Sequence, residues 1–185
     1  RKRSLKETQS NLMKVWFLVE CMLIGKNSLM KIIDNFLSKK NFTKLQSLIL
    51  GQNFPWFYND YIHHVGDGQF QYFHTFYSDE GNPSWQFSLL NDCLKELKPI
   101  RIKRIKANSN SKTESHSKGG YHIDYSNIKT SILYVNTNNG WTEFKNGDRV
   151  DCIENRMVIF DSNLEHQGVS STDQKRKVVI NFNYE

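Results

Sequence analysis

Ile100-Arg-Ile-Lys-Arg-Ile-Lys-Ala107 directly follows Pro99 and combines β-branched with basic residues at a spacing close to two. Successive side chains of a β-strand point to opposite faces, so this spacing predicts a strand. From here to the C-terminus, short β-branched or aromatic runs alternate with Asn, Gly, Asp and Ser turns. They predict eight strands, at residues 100–107, 119–124, 129–136, 141–145, 148–152, 156–160, 165–170 and 176–183.

These strands favour a sandwich or a jelly-roll barrel, because stacking or closing two sheets protects the edges of short strands. Asn139-Gly140 and Asn146-Gly147 are predicted to form hairpin turns. The polar segment 108–120 is predicted to be a mobile loop with the composition of a lid. The basic residues of segment 101–106 are expected to lie on a solvent-facing side of their strand.

Two amphipathic helices are predicted before Pro99. The first has Ser38 as its N-cap and ends at Gly51, for which we expect a left-handed backbone. The second begins at Asn82-Pro83, with asparagine as the cap and proline at the first helical position. His74 lies between the two helices in an aromatic run, where its pattern fits either the core or the wall of a substrate pocket.

The 185 residues fit one domain, and 38% hydrophobic with 24% charged residues exclude collagen-like, coiled-coil and wholly disordered classes. We expect a mainly β fold with N-terminal helices. Residues 1–29 are predicted to be an appendage with a helical pattern. Residues 30–185 are predicted to form a single domain, in which helical support over 30–98 packs against a β core over 99–185.

The net charge of +6 is concentrated near the N-terminus, where residues 1–29 contain six basic and two acidic residues. The remaining chain therefore carries only +2. A protein that follows a phosphate backbone should show clustered Lys and Arg on its folded part, so nucleic acid is an unexpected partner.

The three cysteines, Cys21, Cys93 and Cys152, have the spacing of neither a disulfide framework nor a metal-binding knuckle. We expect buried free thiols in a reducing compartment. The apolar run from Val15 to Ile24 is interrupted by Glu20 and is shorter than the ~20 residues of a membrane span. We therefore predict a cytoplasmic protein without membrane contact.

A candidate metal site begins at His122-Ile-Asp124 in a predicted strand, where residues two apart share one face. By itself the pair is more typical of a structural histidine beside a surface aspartate. His166 follows the turn Asp161-Ser-Asn163 and supplies a third ligand. Two imidazoles and one carboxylate form the facial triad that binds Fe(II) and leaves open positions for substrate and dioxygen. Ten residues further on, the guanidinium of Arg176 could pair with the far end of a dicarboxylate.

The order of His122-x-Asp124, His166-Gln-Gly168 and Arg176 resembles the Fe(II)/2-oxoglutarate-dependent oxygenase superfamily, in particular its small prolyl-4-hydroxylase-like members. Gly140-Trp-Thr-Glu-Phe144 is similar to the Gly-Gly-x-x-x-Phe strand of that family. Arg156-Met-Val-Ile-Phe160 is similar to its strand before the distal histidine. The resemblance covers residues 99–185 closely and 30–98 in the order of elements only.

The resemblance implies a double-stranded β-helix, which is a jelly-roll (cupin-like) barrel, with helices packed against it. It also implies that iron is bound by His122, Asp124 and His166. It further implies that 2-oxoglutarate chelates this iron and that dioxygen is the second co-substrate.

The resemblance implies that three further residues contact 2-oxoglutarate. The far carboxylate of 2-oxoglutarate would pair with Arg176 and with the hydroxyl of Tyr134, which lies in the matching strand Ile132-Leu-Tyr134-Val-Asn136. Asn108 would be a further co-substrate contact by analogy. Lys175 and Lys177 flank Arg176 and are the alternative cations.

The implied function is a dioxygenase that hydroxylates a peptidyl, prolyl-like substrate or a small molecule and releases succinate and CO2. Two alternatives stay open. An oxidative nucleic-acid demethylase of the same superfamily would need a basic groove and stacking aromatic residues. A cupin-like binding module would hold a metal or ligand without turnover. The sequence does not indicate the oligomeric state.

Overall fold

The computed structural model describes residues 30–62 and 64–185. The predicted appendage 1–29 and His63 lie outside the described residues, so the predicted boundary between appendage and domain stays a prediction. Within the described part, residues Ile32–Glu185 form one compact unit.

Strands dominate this part of the chain, which confirms the predicted mainly β class. The described strands are β1 Met30–Ile33, β2 Phe57–Asn59, β3 Gln71–Ser78, β4 Ile102–Ser111, β5 Lys129–Tyr134, β6 Trp141–Phe144, β7 Arg149–Asp151, β8 Met157–Asp161, β9 His166–Val169 and β10 Arg176–Tyr184.

The first helix, α1, spans Lys39–Leu50 and begins as predicted at Ser38, whose hydroxyl accepts a hydrogen bond from the Asn41 amide at 3.3 Å. The expected left-handed end at Gly51 is wrong, because this residue is extended with a φ of −66°. Glycine is needed there for space instead. A Cβ at this position would lie 2.9 Å from the carbonyl oxygen of Ser47.

The second helical segment starts later than predicted. A 3₁₀ helix at Phe87–Leu90 leads directly into helix α2 at Asn91–Leu97. Asn82-Pro83 does not cap it, because the Ser84 amide donates to the Phe76 carbonyl at 2.9 Å and ties this segment to β3. Lys98, with a φ of 50°, ends α2 in the left-handed conformation.

Two sheets form the domain, and the strands from β2 to β10 pair antiparallel within them. The larger has seven strands in the order β1-β8-β5-β10-β4-β3-β2, and the smaller has three in the order β7-β6-β9. The predicted strand 119–124 is reduced to one single bridge, His122 with His166, and a second bridge joins the preceding Lys118 to Val169. Within the described residues the two sheets do not join into one closed barrel, so the predicted barrel is not directly confirmed.

One of the two predicted hairpin turns is present. Asn146-Gly147 joins β6 to β7, and Gly147 has a φ of 93°. Asn139-Gly140 is not a hairpin turn, because the strands on either side of it, β5 and β6, belong to different sheets. A Cβ on Gly140 would lie 2.7 Å from the Val169 carbonyl oxygen, so this glycine allows β6 to approach its neighbour closely.

The pleat of the central strands β4 and β10 separates the core from the functional face. Ile105 and Ala107 of β4 belong to the same buried cluster as Val178 and Ile180 of β10 and the apolar residues of α1. The intervening side chains point to the opposite face, towards the smaller sheet. A cavity lies on that side.

Candidate active site

A cavity of about 360 Å³ brings together all three predicted metal ligands, His122, Asp124 and His166. Its floor is formed by β4 and β10 of the large sheet, and Thr142 and Gly168 of the small sheet also line it. The sequence places these residues far apart, and the facing sheets make them neighbours.

The two histidines are joined through their backbones. Each donates its amide to the carbonyl of the other at 3.0 Å, and the ring centres are 4.7 Å apart. His166 is only 3% exposed, so it is turned into the protein and not towards solvent.

Hydrogen bonds orient both imidazoles in the same way. Nδ1 of His122 lies 3.0 Å from the Gly120 carbonyl oxygen, and Nδ1 of His166 lies 3.2 Å from that of Leu164. A neutral imidazole that donates through Nδ1 has its lone pair on Nε2, as a metal ligand requires. Burial lowers the pKa of His166, although Asp124 opposes this effect, so the neutral form is favoured.

The Asp124 carboxylate is held by two donors. Arg104 donates to Oδ1 at 2.9 Å, and Asn183 donates to Oδ2 at 3.1 Å. Burial alone would raise the pKa of Asp124, but Arg104, the two histidines and the Asn183 hydrogen bond together lower it. The group is therefore a carboxylate at neutral pH.

These three side chains are of types that bind a metal ion, but their positions do not allow all three to bind one ion. Among residues 30–62 and 64–185, no three His, Cys, Asp or Glu side chains are placed so that one ion could reach all of them. The two imidazoles are adjacent, whereas the Asp124 carboxylate is turned towards Arg104 and Asn183. Coordination by all three requires this carboxylate to turn towards the histidines, so the ligand set stays a prediction.

Arg176, the predicted partner of the co-substrate, does not line this cavity. Its guanidinium donates to the Leu50 carbonyl at 2.6 Å and lies 6.0 Å from the centre of the Trp56 ring. Because strand residues alternate in direction, the next residue, Lys177, points into the cavity instead. The structure thus places one of the two alternative cations where Arg176 was expected.

Lys177 is almost completely buried, with 4% of its surface exposed. Its ammonium donates to the carbonyls of Trp141 at 2.7 Å and Val169 at 2.9 Å, both in the small sheet. Burial lowers the pKa of Lys177, partly offset by Cys152. These contacts hold the Lys177 amino group at one end of the cavity.

The other two predicted co-substrate residues lie nearby. Tyr134 is fully buried and donates its hydroxyl proton to Thr142 Oγ1 at 2.7 Å, so Thr142 stands between it and the cavity. Burial raises the pKa of Tyr134, which keeps its proton in place. Asn108 lines the cavity directly, and within the described chain its side-chain oxygen has no hydrogen-bond partner.

The sequence did not single out the polar residues that β4 and β10 add to the cavity. Arg104 and Lys106, which were expected to face solvent, line it together with Asn181. Asn183 joins the site through its hydrogen bond to Asp124. The missing information was the register, which sets Lys106 opposite Asn181 and Arg104 opposite Asn183.

A second cavity of about 340 Å³ adjoins the first and shares His122, Gly168 and Lys177 with it. One wall is part of the predicted lid loop. The first residues of that segment extend β4 to Ser111, and a later one, Ser117, donates its amide to Ser170 Oγ at 2.8 Å. The adjoining space provides room for a substrate next to the predicted metal ligands.

His74, the remaining histidine with an open role, belongs to the core. It is 3% exposed, Nδ1 lies 2.9 Å from the Pro55 carbonyl oxygen and Nε2 lies 3.1 Å from Ser84 Oγ. The rings of Phe54 and Phe76 pack against it. Its contacts are those of a structural residue.

Comparison with protein-family models and with curated protein sequences finds no match for this chain. Among solved structures, a prolyl hydroxylase from Trichoplax adhaerens, in complex with a hypoxia inducible factor oxygen degradation domain peptide, is 17% identical. The alignment covers 94% of this chain and 92% of that one, with a TM-score of 0.58. An oxidoreductase of the 2OG-Fe(II) oxygenase family from Burkholderia pseudomallei is 12% identical over 84% of both chains, with a TM-score of 0.60.

A third similar structure is the epimerase SnoN in complex with Fe3+, α-ketoglutarate and nogalamycin RO. It is 7% identical, with 84% of this chain and 78% of that chain covered and a TM-score of 0.56. At these identities the likeness is one of fold. The fold is similar to that of these solved oxygenases, a prolyl hydroxylase included, and this similarity confirms the resemblance predicted from the sequence.

Among the described helices, none combines the length and the apolar character that crossing a membrane requires.

Proposed function

We propose that this protein is an Fe(II)- and 2-oxoglutarate-dependent dioxygenase whose iron is bound by His122, Asp124 and His166. The observation that supports it best is the pairing of His122 with His166 beside Asp124, in one cavity of an oxygenase-like fold. We further propose that the two facing sheets correspond to the double-stranded β-helix of this superfamily.

The ligand chemistry agrees with this assignment. Two neutral imidazoles and one carboxylate are the donor set of non-haem Fe(II) oxygenases. Bound iron would supply the oxidation of the substrate by dioxygen, with 2-oxoglutarate as the source of the further two electrons. The carbonyls of Gly120 and Leu164 hold the imidazoles in the required tautomer, and Asn183 and Arg104 keep Asp124 ionised.

Lys177 takes the role that the sequence suggested for Arg176. A carboxylate of 2-oxoglutarate that reached Lys177 would gain a charge-assisted hydrogen bond in a water-poor site. Thr142, supported by the Tyr134 hydroxyl, adds a donor or acceptor on the same side of the cavity. Asn108 offers an amide group from β4.

The two candidate substrates are a peptidyl, prolyl-like residue and a small molecule. The similar prolyl hydroxylase was solved with a peptide and the similar epimerase with a small molecule. An oxidative nucleic-acid demethylase is a weaker candidate. Two basic residues near the cavity are already paired, Arg104 with Asp124 and Lys118 with Glu143, so they offer little charge to a phosphate backbone. The cytoplasmic location expected from the sequence stays a prediction.

The turnover of 2-oxoglutarate to succinate tests the proposed function. The purified full-length chain, supplied with Fe(II), 2-oxoglutarate and oxygen, should form succinate slowly even without a primary substrate. His166→Ala and Asp124→Ala should reduce this rate at least 100-fold, while Asp148→Ala, in the exposed β6–β7 turn, should keep it. Iron and 2-oxoglutarate binding without any succinate would instead indicate a cupin-like binding module.

A further inference from the structure

Lys106 is a cation in the cavity that the proposed reaction does not use. It is half-buried on β4, and its ammonium lies 4.9 Å from the centre of the Phe73 ring. Within the described chain it has no hydrogen bond or ion pair, whereas Arg104 is paired with Asp124 and Lys177 with two carbonyls. A half-buried ammonium that makes no direct ion pair suits an anionic ligand.

The position of Lys106 separates it from the co-substrate end of the cavity. Lys177 lies opposite Asn110 on β4, four residues beyond Lys106. At about 3.3 Å per strand residue, this separation is roughly 13 Å. The two side chains also diverge, because Lys177 reaches to Trp141 in the small sheet and Lys106 to Phe73 on β3.

One molecule of 2-oxoglutarate is shorter than the distance between these two backbone positions. Its carbon chain has four C–C bonds of about 1.5 Å each and so reaches at most about 6 Å. If Lys177 binds its far carboxylate, Lys106 is left for another anion. The primary substrate is the remaining ligand of an oxygenase site.

The residues around Lys106 indicate which other chemical groups this ligand has besides its negative charge. The side-chain oxygens of Asn108 and Asn181 are buried and have no hydrogen-bond partner within the described chain. Both residues line the cavity, and Asn181 lies directly opposite Lys106. Amide oxygens accept hydrogen bonds, so they suit a ligand with an N–H group. Ile123 and Val179 add apolar walls.

We propose that Lys106 binds the carboxylate of the primary substrate, and that this substrate is an amide-bearing carboxylic acid such as an N-acylated amino acid. The proposal rests on the proposed function and specifies its substrate class. One unpaired ammonium balances one negative charge, which favours a monocarboxylate over a polyanion. Burial, aided by Arg104 and opposed by Asp124, lowers the pKa of Lys106, and a bound carboxylate would raise it again.

The experiment compares matched ligands on matched variants. The ligands are a panel of N-acetyl amino acids, N-acetylproline included, each as the free acid and as the primary amide. They are titrated calorimetrically into the protein, which is loaded with 2-oxoglutarate and with Zn(II) in place of iron. The variants are Lys106→Met, Lys106→Arg and, as control, Lys103→Met, whose lysine pairs with Asp79 outside the cavity. Thermal unfolding and 2-oxoglutarate affinity are measured for each.

At least one acid should bind the wild-type protein tenfold or more tightly than its amide. Lys106→Met should abolish this preference, while Lys106→Arg and Lys103→Met keep it and all variants retain their 2-oxoglutarate affinity. The absence of any acid preference in the panel would overturn the proposal, as would its persistence in a folded Lys106→Met variant. So would a loss confined to 2-oxoglutarate affinity. Failure of the proposed function would appear separately, as the absence of succinate in the turnover assay.

Discussion

Arg176 and Lys177 show that two adjacent residues of one strand can lie in different surroundings. The sequence favoured Arg176 because its spacing from His166 and its planar guanidinium suit a carboxylate. On a pleated strand, however, adjacent residues face opposite sides of the sheet. Arg176 therefore contacts the end of α1, and Lys177 enters the cavity. The sequence predicted the strand β10 but not which face each of its residues takes.

This assignment predicts different behaviour for two neighbouring substitutions. Lys177→Met should weaken 2-oxoglutarate binding at least tenfold, equivalent to about 1.4 kcal/mol, because it removes the one basic side chain at that end of the cavity within the described residues. Arg176→Met should change the affinity less than twofold. Titration calorimetry of both variants measures this, with thermal unfolding to confirm that each is folded. A larger loss in Arg176→Met than in Lys177→Met would contradict the assignment.

At the scale of the elements, β3 shows how one strand serves the core with one face and the cavity with the other. Gln71 lines the cavity, while His74 and Phe76 are buried on the core side. The aromatic pattern predicted a strand here but fitted both roles for His74. Its hydrogen bonds to the Pro55 carbonyl and the Ser84 hydroxyl, which no sequence pattern shows, decide in favour of the core.

The burial of His74 predicts a dependence of stability on pH. Burial lowers the pKa of His74 below its usual value of 6.5, with the Pro55 hydrogen bond opposing the effect. The unfolded chain then binds a proton more readily than the folded one. The stabilisation from a neutral His74 is therefore complete above pH 6.5 and is lost as the pH falls below it.

Urea unfolding at pH 7.5 and pH 5.5 tests this expectation. The free energy of unfolding should fall over this interval, and the fall should be smaller in His74→Phe, which cannot be protonated. The difference between the two proteins isolates His74 from His166 and other titrating groups. An equal fall in both would mean that His74 does not contribute.

At the scale of the whole molecule, the β architecture was predictable because it depends on patterns that each strand carries by itself. Seven of the eight strands predicted after Pro99 are present within a few residues of the expected bounds, as is the cap at Ser38. The same local information explains how a fold can be shared at 17% identity or less.

Properties that depend on contacts between distant segments could not be predicted in the same way. The segment 119–124 pairs with β9 only at the single bridge between His122 and His166. The turn of Asp124 towards Arg104 and Asn183 depends on the β4–β10 register. His122 and His166 could be proposed as partners from their residue types, but only the facing sheets show that their rings are neighbours.

The central claim is that His122, Asp124 and His166 bind iron together with 2-oxoglutarate, and anaerobic absorption spectroscopy tests it most directly. Addition of Fe(II) and 2-oxoglutarate to the wild-type protein should produce a visible charge-transfer band. The band should persist in Asp148→Ala and be lost in His166→Ala and in Asp124→Ala. Its absence from the wild-type protein, or its undiminished presence in both ligand variants, would contradict the claim.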